Sequence, residues 1–120
     1  MPAQIILPWP PKELSPNFKR RKHWSAYRLP TRKYRETCFW LTKEAKVRIG
    51  AGDVPVLMTI AFSPPDRRRR DDDGMIGAFK AGRDGMAEAL GVDDHCFRPT
   101  YRIDEPVKDG RVTVTIEGDV

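Results

Sequence analysis

The segment Val56-Leu57-Met58-Thr59-Ile60-Ala61-Phe62 constrains the fold more than any other. Val56, Met58, Ile60 and Phe62 alternate with Leu57, Thr59 and Ala61, and a period of two belongs to a β-strand. Both sets are mostly apolar, so the strand is expected to be largely buried. Pro64-Pro65 closes it, because proline cannot donate to a strand ladder. Gln4-Ile5-Ile6-Leu7 reads as a second, short strand, stopped by Pro8-Trp9-Pro10-Pro11.

The rest of the chain supplies cover for such strands. Pro30-Thr31 marks a helix start, with Thr31 able to cap free amides. Tyr34, Cys38, Leu41 and Ala45 follow at helical spacing, and Gly50 and Gly52 end the run. A second helix is expected over about 74–90, with Met75, Phe79, Gly82, Met86 and Leu90 on one stripe and Gly91 as its stop. Tyr101–Glu105 and Val112–Glu117 read as strands separated by an Asp109-Gly110 turn. Residues 12–29 show no period and interleave Phe18, Trp24 and Tyr27 with Lys19-Arg20-Arg21-Lys22. They read as a mobile basic loop. The expectation is one α+β domain over 1–120, with a mixed four-stranded sheet and two main helices.

At 120 residues a single domain buries only a modest core, which favours dimerisation. No apolar run is long enough for a membrane span. Met1–Leu7 lacks the basic start of a secretory signal. Cys38 and Cys96 stand far apart with no CxxC pattern, which argues against a disulfide framework or a structural zinc site and suits the cytoplasm. The net charge of +5 hides an asymmetry. Residues 1–48 carry 12 Lys/Arg against 3 Asp/Glu, and residues 49–120 carry 10 against 14. A basic half beside an acidic half suggests a polyanion-binding surface next to a cation-binding one.

The candidate chemistry lies in Asp66-Arg67-Arg68-Arg69-Arg70-Asp71-Asp72-Asp73, at a strand-to-helix junction. In extended chain, Asp71 and Asp73 face the same way and can share one hard cation, which relieves their repulsion. Arg67, Arg68, Arg69 and Arg70 can grip phosphate through guanidinium forks. Metal and guanidinium side by side suit phosphodiester hydrolysis, the metal activating water and offsetting charge on the leaving oxygen while arginine holds the strand in register. Taken separately, an Asp run opening a helix is commonly only a cap, and an Arg run only a solvated stripe. Asp93-Asp94 forms a second acidic pair, readable as a polar turn or as the source of a third metal ligand. Seventeen helical residues span roughly 25 Å, so one straight helix separates Asp94 from Asp71 and Asp73. A shorter or bent helix, a chain that doubles back, or an Asp94 from a second subunit would remove that separation. Lys80 is commonest as a solvent-facing lysine, but it can also stand near a scissile phosphate. Gly77 leaves room for something to approach the helix. Lys19, Arg20, Arg21 and Lys22 can hold DNA, with Phe18 or Trp24 free to stack on splayed bases or to tuck into the surface.

These residues resemble the RusA family of Holliday-junction resolvases. The likeness rests on Leu7-Pro8-Trp9-Pro10-Pro11, on Pro65 through Asp73, and on Val92-Asp93-Asp94, in matching order and spacing, and it runs nearly the length of the chain. It implies a homodimeric crossover junction endodeoxyribonuclease that uses Mg²⁺, with Mn²⁺ able to substitute. Its expected action is paired nicks in four-way DNA junctions, in recombination and repair, in a bacterial or phage-infected cell. It implies Asp71, Asp73 and Asp94 as the essential metal-holding carboxylates, with Asp72 and Asp93 less critical. Where the family commonly has Asn and then Lys after the second motif aspartate, this chain has Gly74 and Gly77, and Lys80 lies one turn later. Two other readings stay open: a branched-DNA-binding protein without catalysis, and a metal-dependent nuclease acting on flaps, single strands or RNA.

Overall fold

A computed structural model describes residues 3–49 and 55–117. Four strands form one mixed sheet: β1 (Ala3–Pro8), β2 (Val56–Ser63), β3 (Phe97–Ile103) and β4 (Arg111–Ile116), in the order β1-β4-β2-β3. β4 runs antiparallel to both β1 and β2, while β3 runs parallel to β2. Four helices accompany the sheet among the described residues: α1 (Pro16–Arg21), α2 (Arg28–Glu44), α3 (Asp72–Ala78) and α4 (Lys80–Leu90). This is an α+β domain, as the residue pattern predicts.

The period-two segments bury the faces expected of them. Ile5, Leu7, Met58, Ile60, Phe62, Val112, Val114 and Ile116 are all buried. They meet Tyr34 and Cys38 of α2, Met75 of α3, and Phe79 and Met86 of the α3–α4 region in one core. The Asp109-Gly110 turn is present, with φ of 66° and 70°. It leads into β4, which inserts between β1 and β2 instead of pairing with β3.

Four expectations need correction. Residues 12–29 do not form an irregular loop. Leu14, only 1% exposed, anchors a 3₁₀ turn (Lys12–Leu14), Ser15 caps α1 by accepting from the Phe18 amide, and a second turn over Trp24–Ala26 leads into α2. Second, α2 begins at Arg28, so Thr31 lies inside it and does not cap it. Third, α2 ends at Glu44, with Lys46 in the left-handed region at φ 55°; Gly50 and Gly52, the expected stop, lie outside the described residues. Thr42, not Ala45, completes its buried stripe, its hydroxyl donating to the Cys38 carbonyl at 2.7 Å. Fourth, the expected helix over 74–90 is two helices joined at Phe79. The Phe79 amide is shared between the carbonyls of Met75 and Ile76, at 3.1 and 3.2 Å. Its ring is fully buried, edge-on to both Tyr34 and Phe62.

Cys38 and Cys96 are buried and free. Burial pushes the Cys38 thiol up to about 12. No helix among the described residues is long and apolar enough to cross a membrane.

Candidate active site

The junction between β2 and α3 opens onto a groove of about 830 Å³. One wall is the segment after β1: Trp9, Lys12, Asn17 and Arg20. The other is the charged run: Arg68, Arg69, Arg70, Asp71 and Asp73. The first wall is tied to the core at several points. The Tyr34 hydroxyl donates to the Pro8 carbonyl at 2.7 Å, and burial holds that phenol far above its usual range. Trp9 meets the buried ring of Phe62 edge-on at 6.2 Å. Gly110 closes against it, since a β-carbon there would lie 2.9 Å from the Trp9 β-carbon.

Asp71 is extended, at φ −95° and ψ 153°, and caps α3 by accepting from the Gly74 amide at 3.1 Å. Asp72 and Asp73 already belong to the helix. The alternation of an extended strand is therefore not what unites Asp71 and Asp73, yet both line the groove. This donor pair suits a hard divalent cation. Asp71 spends one oxygen on Gly74 and keeps the other, and Mg²⁺ is commonly held by one or two carboxylates together with waters and phosphate oxygens.

The four arginines divide. Arg70 is turned inward, with its side chain 15% exposed. Its Nη1 donates to the Asp66 carboxylate at 2.9 Å and to the Asp66 and Arg68 carbonyls, and its guanidinium lies over the Trp9 ring at 5.7 Å. The Asp66 carboxylate also accepts from the Arg68 amide. Arg70, and then that amide, hold its carboxyl below the usual range. Arg67 points away, pairing loosely with Glu105 at 3.2 Å. Arg68 and Arg69 face the groove, with no ion pair among the described residues.

Asp94 is not gathered with Asp71 and Asp73. Among the described residues no group of three His, Cys, Asp or Glu is placed to hold a metal ion. The chain does double back along α4 after Gly91, which adopts φ 71°. Arg83 reaches the Asp94 carbonyl at 3.4 Å and the Tyr101 hydroxyl at 3.2 Å. Beside it, His95 holds the Asp93 carboxyl below the usual range by hydrogen bonding. Lys80 lies outside the groove, 70% exposed and 3.9 Å from Asp84. Gly77 does make room for an approach, but the group that comes close is Pro16, whose Cγ would lie 2.9 Å from a β-carbon there.

In the basic segment, Arg20 lines the groove and donates to Asn17. Lys19 lies over the Tyr27 ring and Arg28 over the half-exposed Trp24. Arg21 and Lys22 are exposed at the end of α1. Sequence reasoning missed Trp9, Lys12 and Asn17 as groove residues. The signal available was the proline run Pro8-Trp9-Pro10-Pro11, whose prolines fix the backbone φ where the chain leaves β1.

No family model matches the chain. It is 37% identical over 119 residues to an uncharacterized protein of Xylella fastidiosa (strain Temecula1), across 95% of this chain and 75% of that protein. The chain belongs to the family of that Xylella protein. The similarity runs over nearly the whole of this chain.

Proposed function

We propose that this chain is a divalent-cation-dependent endodeoxyribonuclease of the RusA type, acting as a homodimer on branched DNA, with four-way junctions its preferred substrate. One observation carries the reading: two carboxylates, Asp71 and Asp73, share a groove with Arg68, Arg69 and Arg20, which have phosphate-binding chemistry. The same segment carries the RusA-like run from Pro65 to Asp73.

Each group has a role that its place supports. Arg68 and Arg69 hold the phosphodiester in register by hydrogen bonds from their guanidinium edges. Arg20 and Lys12 hold the same strand from the facing wall, and Lys19, Arg21 and Lys22 carry the DNA beyond the groove. Asp71 and Asp73 would hold Mg²⁺ or Mn²⁺. When bound, the cation activates water and offsets charge on the phosphoryl oxygens. Asp94 joins the set from a second subunit.

A second reading, binding of branched DNA without cleavage, draws on the separation of Asp94 from the other two carboxylates and on the position of Lys80 outside the groove. One experiment separates the two. A labelled four-way junction and a matched duplex are incubated with the protein and with Asp71→Asn, in Mg²⁺ and in EDTA. The nuclease reading expects paired nicks in the junction alone, lost in EDTA and in the variant. Tight junction binding without nicking in any metal would establish the binding reading.

A further inference from the structure

We propose that Arg70 is a positioning residue: it holds the chain from Asp66 to Asp71 in an arch that turns Arg68, Arg69 and Asp71 to one groove, and it does not itself bind phosphate. The inference rests on the nuclease reading for its effect on rate, and on geometry alone for the arch.

The four arginines are identical as chemistry and differ in what surrounds them. Arg70 Nη1 faces three acceptors: the Asp66 carboxylate at 2.9 Å, the Asp66 carbonyl at 3.2 Å and the Arg68 carbonyl at 3.1 Å. The guanidinium packs over Trp9. An exposed ion pair between residues four apart stabilises little. Here, however, one inward-turned cation closes a non-helical loop through side-chain and main-chain acceptors and rests on an aromatic face. Asp66 completes the arch by accepting from the Arg68 amide at 2.9 Å.

Two consequences follow for the groove. Residues 67–69 are held on the outside of the arch, so Arg68 and Arg69 keep their guanidiniums free for a ligand. Asp71, the next residue, enters the α3 cap from a fixed point. Trp9 is in turn held by Phe62 and Gly110. Arg70 thus couples the two walls of the groove, and displacing it moves the Asp71 carboxylate relative to both. A shift of this kind, even of an ångström, costs rate more than affinity.

The test compares Arg70→Gln, Arg70→Lys, Asp66→Asn and the double variant Asp66→Asn/Arg70→Gln with Arg69→Gln. DNA affinity is measured in EDTA across a salt series, and single-turnover junction cleavage in Mg²⁺. Arg69→Gln is expected to weaken binding and lower the salt slope by about one unit. The Arg70 variants are expected to bind within about twofold of wild type and to cleave ~10–100-fold more slowly. Lysine does not rescue, because it lacks the planar fork. The double variant is no slower than Arg70→Gln, because both substitutions break one arch. A loss of affinity and salt slope in Arg70→Gln equal to that in Arg69→Gln would overturn the proposal. If the wild type cleaves nothing, the nuclease reading falls, and the arch is judged on the Arg68 amide by hydrogen exchange. Faster exchange in both Arg70→Gln and Asp66→Asn supports it, and exchange unchanged from wild type overturns it.

Discussion

The Asp71 carboxylate accepts from the Gly74 amide at 3.1 Å while lining the groove beside Asp73. One side chain therefore serves helix stability and the candidate site together, and two substitutions separate these roles. Asn caps helices as well as Asp does, whereas Ala loses about 1 kcal/mol. Asp71→Asn is expected to melt like the wild type yet lose metal-dependent cleavage. Asp71→Ala is expected to lose cleavage and melt several degrees lower. Thermal melts of the two variants check this, and identical melting points would remove the cap from the account.

The pattern of side chains made the frame of this fold legible before its joints. The alternation from Val56 to Phe62 shows both its faces, and the stripe from Met75 to Met86 lies on the core as its spacing predicts. The break at Phe79 was not legible, because a helical stripe runs through it without interruption and the cause is tertiary: a ring seated between Tyr34 and Phe62. α1 was missed although Ser15-Pro16 is a helix start, with a capping hydroxyl followed by proline at the first helical position. The surrounding basic and aromatic residues carry no period, and they hid it. At the site, the charge run at the strand-to-helix junction located Asp71, Asp73 and the arginines. It could not tell four consecutive arginines apart, since only Trp9 and Asp66, brought up by the fold, turn Arg70 inward.

The approach of α4 to α2 leaves no room at Gly85. A β-carbon there would lie 2.3 Å from the Arg35 carbonyl oxygen and 3.1 Å from the Phe39 amide nitrogen. Both are main-chain atoms of α2, so relief requires the helices to separate. Alanine favours a helix over glycine by about 1 kcal/mol, but overpacking of this kind costs about 1–3 kcal/mol. Gly85→Ala is expected to be net destabilising in urea unfolding. A variant as stable as wild type would show that the helices separate at little cost.

The Asp66–Arg70 contact should make the arch sensitive to acid. Arg70 holds the Asp66 carboxyl below its usual range, so the folded state binds that proton more weakly than the unfolded chain does. The contact is then fully present above the ordinary carboxylate pKa of about 3.9. It is lost as pH falls through the lower, folded value. Carbon-detected NMR titration of Asp66 should give a midpoint below that of an exposed aspartate, returning toward it in Arg70→Gln. A midpoint unmoved by that substitution would break the link between the two residues.

Asp94 stands apart from Asp71 and Asp73 in one chain, which makes complementation between subunits the sharpest test of a shared site. Each inactive variant, Asp71→Asn and Asp94→Asn, should cleave nothing as a homodimer. Under the proposed shared site, the Asp71 of one subunit in a mixed dimer meets the Asp94 of the other, so one site is intact and the second lacks both carboxylates. Unfolding the two variants together and refolding them should restore nicking of one strand without paired resolution of the junction. A nicked-circle assay on a cruciform plasmid distinguishes nicking from resolution, because a single nick relaxes the plasmid while paired nicks linearise it. If each chain instead closes its own site, the mixture stays inactive, since no single chain then holds both aspartates.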